Sequence, residues 1–290
     1  EASRGLANYL PLHTILEVGA IAVAALIFGV GWNTGRSRAS PALIWTACLF
    51  LGVAILDLTH TLSYDGMPQF LTPSGPEKAI DFWLAARTLA AAALLVLALA
   101  PRESDAPPSR AMALGAVLVA VFVIHFVLLA MPQAVPRTFI PGEGLTPFKI
   151  GFEYVLVALY LAAAALFWRR LSAPRETHVS GLFAASVIMA MSEFMFTLYA
   201  NVTDVYNLLG HVFKIVAYAC LYRAVFVESV LHPYAELDAS RRQLAATLDA
   251  LPDLLFEVDG DGRYVAVHAS RHQDLVAPAY DLVGHTLDEV

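Results

Sequence analysis

The sequence is poor in charge. Lys, Arg, Asp and Glu make up only 15% of its 290 residues, against about 25% in soluble globular domains. That deficit excludes a water-soluble fold. Positive charge is scarcer still: the formal net charge is -7, so no basic face is offered to nucleic acid, and nucleic acid is not expected as a partner. Only two cysteines occur, Cys48 and Cys220, both inside apolar runs. They read as small core residues and exclude a disulfide framework. No His-Glu-x-x-His motif is present, and no apolar run carries His-x-x-x-His, so the established zinc-enzyme patterns are missing. Neither an internal repeat nor a pair of Gly/Pro-broken spans points to a transporter. A cleaved signal peptide is not expected, because the first apolar run is too long and no small-residue cleavage site follows it.

What fills the chain instead is hydrophobic: 58% of the residues, with a mean hydropathy of +0.63. A bilayer span needs about 20 apolar residues. Seven stretches qualify, at roughly 12–32, 41–64, 79–100, 110–131, 147–168, 179–200 and 207–230, separated by loop-type segments such as RESDAPPSR. The expected fold is an all-α membrane protein, a seven-transmembrane-helix bundle over residues 1–231. Arginine bias sets the expected orientation. The loops after spans one, three and five hold Arg36, Arg38, Arg102, Arg110, Arg169, Arg170 and Arg175, and the C-terminal flank adds Arg223, Arg241 and Arg242. The opposite loops hold chiefly Lys78, Arg137 and Lys149. The N-terminus is therefore expected outside and the C-terminus in the cytoplasm.

The polar residues inside the spans are the candidate site, because an ionisable group at bilayer depth is functional by default. Span one begins with His13 and Glu17, four apart on one helix face. Span two ends with Asp57 and His60. Span three begins with Asp81, Trp83 and Arg87, and span five with Lys149 and Glu153. Span six ends with Glu193, Thr197 and Tyr199, and span seven begins with His211 and Lys214. At about 1.5 Å per residue all lie within about two to three turns of the outer surface. Span four differs: its His125 stands alone in VFVIHFVLL and reads as a packing residue.

Three readings of this one-sided layer stay open. It is a set of ion pairs that hold the bundle together, a ligand or metal pocket open to the outside, or part of a transport path. For the second, His13, His60 and His211 are the candidate metal ligands, of a type that suits Zn, Cu or Fe, or haem with two axial histidines. Glu17, Asp57, Arg87, Lys149, Glu153, Glu193, Tyr199 and Lys214 are the candidate ligand-binding residues. The cations Arg87, Lys149 and Lys214 oppose a metal and favour pairing with the acids. A retinal Schiff base on Lys214 is disfavoured by its position two turns from the outer end.

After Leu231 the chain turns polar. Tyr234, Leu237, Arg241, Leu244, Leu248 and Leu251 recur at three- and four-residue steps, the stripe of either an ordinary amphipathic helix or a dimeric signalling helix over 232–250. The runs LLFEV and RYVAVHA then flank a Gly-Asp-Gly turn, which reads as a β-hairpin. Residues 251–290, from LDALPDLLFEVDGDGRYVAV to LVGHTLDEV, resemble the first part of a PAS domain, a truncated α+β segment.

The strings LHTILEVGAIAVAALIF, FLGVAILDLTHTLSYDGM, FWLAARTL, GLTPFKIGFEYVL, SEFMFTLY and NLLGHVFKIVAYACLYRA resemble the membrane-associated sensor family of the third type, over roughly residues 9–235. That resemblance implies an input domain of a bacterial inner-membrane receptor, placed before PAS, histidine kinase or diguanylate cyclase modules. It implies a cytoplasmic output partner and brings no established ligand. The expected function is sensory input to a histidine kinase or cyclic-di-GMP enzyme, acting as a homodimer. The alternatives are a membrane enzyme with a metal-activated water and a transporter.

Overall fold

The computed structural model describes residues 8–34, 40–100, 109–171, 179–199, 202–250, 255–268, 278–286 and 288–289. Arg36, Arg38, Arg102, Arg175 and Leu251 lie outside these. The chain divides into two compact units, Glu1–Val230 and Leu231–Val290.

The first unit holds seven long helices: α1 (Tyr9–Asn33), α2 (Pro41–Ser63), α3 (Pro76–Leu99), α4 (Arg110–Ala130), α5 (Pro147–Arg170), α6 (Val179–Leu198) and α7 (Val205–Phe226). Each is long and apolar enough to cross a membrane. Their starts follow local chemistry. Pro41, Pro76 and Pro147 occupy first helical positions, where a missing N–H costs nothing. Side-chain oxygens cap four helices: Ser40 accepts from the Leu43 N–H at 3.1 Å, Ser109 from Met112 at 3.4 Å, Thr146 from Lys149 at 3.3 Å, and Asp204 from Tyr206 and Asn207 at 3.0 Å each. At the end of the bundle where α1 and α3 finish, Arg110 donates to the carbonyls of Trp32 and Thr34, and Arg170 to that of Leu97. They satisfy carbonyls that α1 and α3 leave open at their C-termini.

Six of the seven helices close a ring in the order α1, α2, α3, α5, α6, α7 and back to α1. Helix α4 stands outside it against α2. Small residues bring the ring together, as expected where lipid offers no hydrophobic drive for helix association. A Cβ on Gly31 of α1 would stand 2.7 Å from the Cβ of Ala47 on α2. Gly52 receives Val117 and Val121 of α4 in the same way, at 3.0 and 3.1 Å from such a Cβ. Outside the ring, His125 is satisfied without any site. Its Nε2 lies 2.9 Å from the Thr59 hydroxyl and its Nδ1 2.8 Å from the Val121 carbonyl.

A two-residue hairpin, β1 (Phe139–Ile140) with β2 (Gly144–Leu145), follows α4. Near it the Thr138 hydroxyl donates to Asp81 at 2.7 Å, and Arg137 to Glu77.

In the second unit, α8 (His232–Ala250) is polar and largely exposed, with Pro233 and Leu248 partly covered. It carries an Arg242–Asp238 pair at 2.6 Å, and Tyr234, Leu237 and Leu244 are open to solvent. One π-helical turn, Val227–Leu231, precedes it. Strands β3 (Leu255–Val258) and β4 (Tyr264–His268) pair antiparallel with an irregularity at Glu257/Val258. Gly262 takes φ +80° in the turn, and the Asp259 carboxylate accepts from the N–H groups of Asp261 and Arg263. Those bonds hold its carboxyl below the usual carboxylate range. After the short helix α9 (Ala279–Leu282), the chain returns to β4: Gly284 N–H donates to the Tyr264 carbonyl, and Tyr264 N–H to that of His285. Among the described residues after α8, the regular structure is one strand pair with one short helix.

Candidate functional site

The polar residues of the spans converge because the ring turns their faces inward at one level. On α1, His13 and Glu17 are one turn apart on the buried stripe that continues through Ala20, Ala24, Ile27 and Gly31. On α2 the same spacing joins Asp57, His60 and Tyr64, and on α7 it joins Asn207, His211, Lys214 and Tyr218.

Three imidazoles meet first. The ring centroids of His13 and His211 are 4.7 Å apart, those of His13 and His60 5.4 Å, and those of His60 and His211 6.3 Å. All three side chains are at most 4% exposed. With Glu17 they form a set of four in which one donor atom from each lies within 4.8 Å of every other. The His60 Nδ1 lies 2.7 Å from the Ala79 carbonyl. That bond orients the ring and leaves Nε2 with a lone pair and no partner. Both ring nitrogens of His13 are likewise without a partner. The His211 Nδ1 stands 2.7 Å from the Glu17 Oε1, off the axis of a good hydrogen bond. Tyr64 stacks on His13 at 3.9 Å, while Trp83 lies 5.3 Å from His60 and 5.1 Å from His211.

One turn deeper the imidazoles give way to charge. Lys214 Nζ is 2.5 Å from Glu17 Oε1 and 3.8 Å from Asp57 Oδ2. The Arg87 guanidinium grips both oxygens of Asp57 at 2.6 Å. Trp83 lies under both cations, 4.6 Å from each. Lys214 Nζ, the atom weighed for a Schiff base, is thus an ion-paired ammonium. To the side, Lys149 Nζ contacts Glu153 at 2.8 Å, donates to the Phe196 carbonyl at 2.7 Å and lies 4.2 Å over the Tyr199 ring. Glu193 is fully buried with neither oxygen hydrogen-bonded. The layer within the spans therefore buries four carboxyls (Glu17, Asp57, Glu153 and Glu193) against three cations (Arg87, Lys149 and Lys214).

Two polar residues counted in this layer from sequence lie elsewhere. Asp81 faces the β1–β2 side and accepts from Thr138, and Thr197 bonds its own helix at Phe194. Others escaped the sequence reading. The Tyr9 hydroxyl donates to Asn207 and the Tyr64 hydroxyl to the Val202 carbonyl, both at 2.6 Å. Tyr9 and Tyr64 are each four residues from a cluster histidine, and that spacing is the signal that could have found them.

Beside the imidazoles, a cleft lined by His60, Tyr64, Trp83, Glu153, Tyr199 and His211 offers about 30 Å³ to the centre of a water molecule. That is space for a water or two, or an ion. A porphyrin does not fit there unless Tyr64, Trp83 and Phe196 move. The four donors that converge beside it suit a borderline metal ion of the zinc or copper type.

The family model for a membrane-associated sensor domain (MASE3) matches residues 4–233. No curated protein and no solved structure matches the chain. With seven helices long and apolar enough to span a bilayer, and with four-fifths of its length matched by that model, the chain is a multi-pass membrane protein that belongs to the family of membrane-associated sensor domains.

Proposed function

We propose that this chain is the input half of a receptor in a bacterial inner membrane, and that its stimulus is a first-row transition metal ion bound by His13, His60, His211 and Glu17. The observation that carries this reading is the buried convergence of those four donors, with the nitrogens of His13 and the Nε2 of His60 left without partners. A buried polar group left unpaired costs about 1–3 kcal/mol, and an ion satisfies several at once. Ligand distances of about 2.0–2.2 Å require the side chains to close in by about an ångström. The small cleft favours an ion over haem.

The test is metal content. The detergent-purified chain from metal-replete medium carries about one equivalent of zinc or copper. Replacing any one of the three histidines with alanine lowers occupancy at least tenfold, whereas His125→Ala leaves it unchanged. A wild-type protein without metal, or three alanine variants with full occupancy, overturns the reading.

The site opens on the outer side in this proposal, with the N-terminus outside and the C-terminus in the cytoplasm. The arginines on the loops at the opposite end support that direction. Cysteines placed at the exposed positions Ser109 and Glu143 test it in intact cells. A membrane-impermeant maleimide labels position 143 and not 109; the reverse result inverts the topology.

Residues 1–231 then form the sensor, 232–250 a signalling helix and 251–290 the start of a PAS-like domain that leads to a kinase or cyclic-di-GMP output. The open stripe of Tyr234, Leu237 and Leu244 supports a parallel homodimer through α8, since a leucine seam is stable only against a partner. Leu244→Cys gives an oxidative cross-link between two chains in membranes, and Ala245→Cys, one position off the stripe, gives much less. Equal cross-linking at both removes the dimer contact.

A further inference from the structure

We propose that the metal ion and the Lys214 ammonium compete for Glu17, so that metal binding transfers Lys214 from α1 to α2. This rests on the metal reading above and adds how the site is regulated.

The geometry gives Lys214 two acids of unequal distance. Glu17 of α1 holds it at 2.5 Å, while the Asp57 Oδ2 of α2 waits at 3.8 Å. The ammonium needs about 1 Å of travel to reach the ~2.7–2.9 Å of a charge-assisted bond with Asp57. Trp83 accompanies it, 4.6 Å from Nζ, and its ring face accepts a cation without holding it to one point. Glu17 is the only acid in the four-donor cluster, and it contacts both that cluster and Lys214. Its Oε1 lies 2.7 Å from the His211 Nδ1 and 2.5 Å from Lys214, and its Oε2 has no partner. A metal ion on this carboxylate would stand within about 5 Å of the ammonium. In a fully buried site, repulsion between the two is strong at that range. All the groups concerned are at most 4% exposed, so water does not screen it.

Lys214 has somewhere to go. The Arg87 Nη2 holds both Asp57 oxygens at 2.6 Å, so Asp57 is shared by two cations once Lys214 arrives. Trp83 lies under both and spreads that charge. The exchange breaks an α1–α7 ion pair and strengthens an α2–α7 pair. Helix α7 is the last span before the π-helical turn Val227–Leu231, so the exchange alters how the segment leading to α8 is held. Such a difference in contacts between two states is what lets a ligand shift a conformational equilibrium.

The test uses Co²⁺, whose visible d–d bands report its own coordination, titrated into the detergent-purified full chain. Lys214→Met and Lys214→Gln bind Co²⁺ at least tenfold more tightly than wild type. Lys214→Arg, which keeps the competing charge, binds no more tightly than wild type. Gln keeps a hydrogen bond to Glu17 and serves if the Met variant does not fold. Equal affinity in wild type, Met and Gln overturns the competition and leaves the metal site standing. No binding by wild type with binding by Met or Gln supports competition in its strongest form. No binding by any of the four proteins overturns the metal site and the competition together.

Discussion

Replacing Arg87 with methionine lowers the stability of the helix bundle by about 3–5 kcal/mol, the loss seen when one partner of a buried ion pair is removed. Arg87 is fully buried, and its guanidinium holds both oxygens of Asp57. The Tyr218 ring lies 5.4 Å from its Cζ and Trp83 4.6 Å. Without the guanidinium, Asp57 keeps only Lys214 at 3.8 Å, and that cation is already committed to Glu17. Two carboxylates then share one ammonium in a low-dielectric interior. Unfolding in mixed micelles measures the loss. Asp57→Asn combined with Arg87→Met removes both charges, and it regains much of the stability because no uncompensated carboxylate remains at that position. A single variant within about 1 kcal/mol of wild type would mean that Lys214 alone suffices for Asp57.

The second large effect is metal-linked stabilisation. An ion that binds the folded bundle and not the unfolded chain adds about 2.7 kcal/mol at a free concentration one hundred times its dissociation constant. Zinc added to the apo protein therefore raises its resistance to unfolding, and a chelator reverses the gain. His13→Ala removes the effect, because both His13 nitrogens are buried without a partner and so gain from a metal. The same variant breaks no hydrogen bond, but it removes a fully buried ring stacked on Tyr64, so the zinc effect is read against the variant's own metal-free stability. His60→Ala differs: it also frees the Ala79 carbonyl, so its metal-free stability falls as well. His125→Ala keeps the full zinc effect, because its ring is bonded to Thr59 and Val121 outside the ring of six helices. A zinc effect that survives His13→Ala but is lost in His125→Ala would move the site elsewhere.

The sequence by itself determined the seven spans and which residue types lie at one depth in them. Hydropathy is local and additive along the chain, and a bilayer demands about 20 apolar residues whatever lies beside them. Helix spacing also placed His13 with Glu17 and Asp57 with His60 on shared faces, because three- and four-residue steps return to the same side. The start at Pro76 lies three residues before the apolar run, since a first turn that holds Glu77 and Lys78 does not register as hydrophobic.

Tertiary packing settled which helices are neighbours and which partner a charge takes on another helix. It set α4 outside the ring, so that His125 became a packing residue bonded to Thr59. Arg87 went to Asp57 and Lys214 to Glu17, and Asp81 turned away to Thr138, whereas Lys149 and Glu153 pair one turn apart within α5, as their spacing already implies. The reason is rotation. A residue's direction changes by about 100° per position along a helix, and spans that are apolar all round give hydropathy nothing with which to fix that rotation. Close contacts at small residues, as where Gly31 meets Ala47 and Gly52 meets Val117 and Val121, hold the rotation of the spans that make them, and with it the direction of the charges they carry.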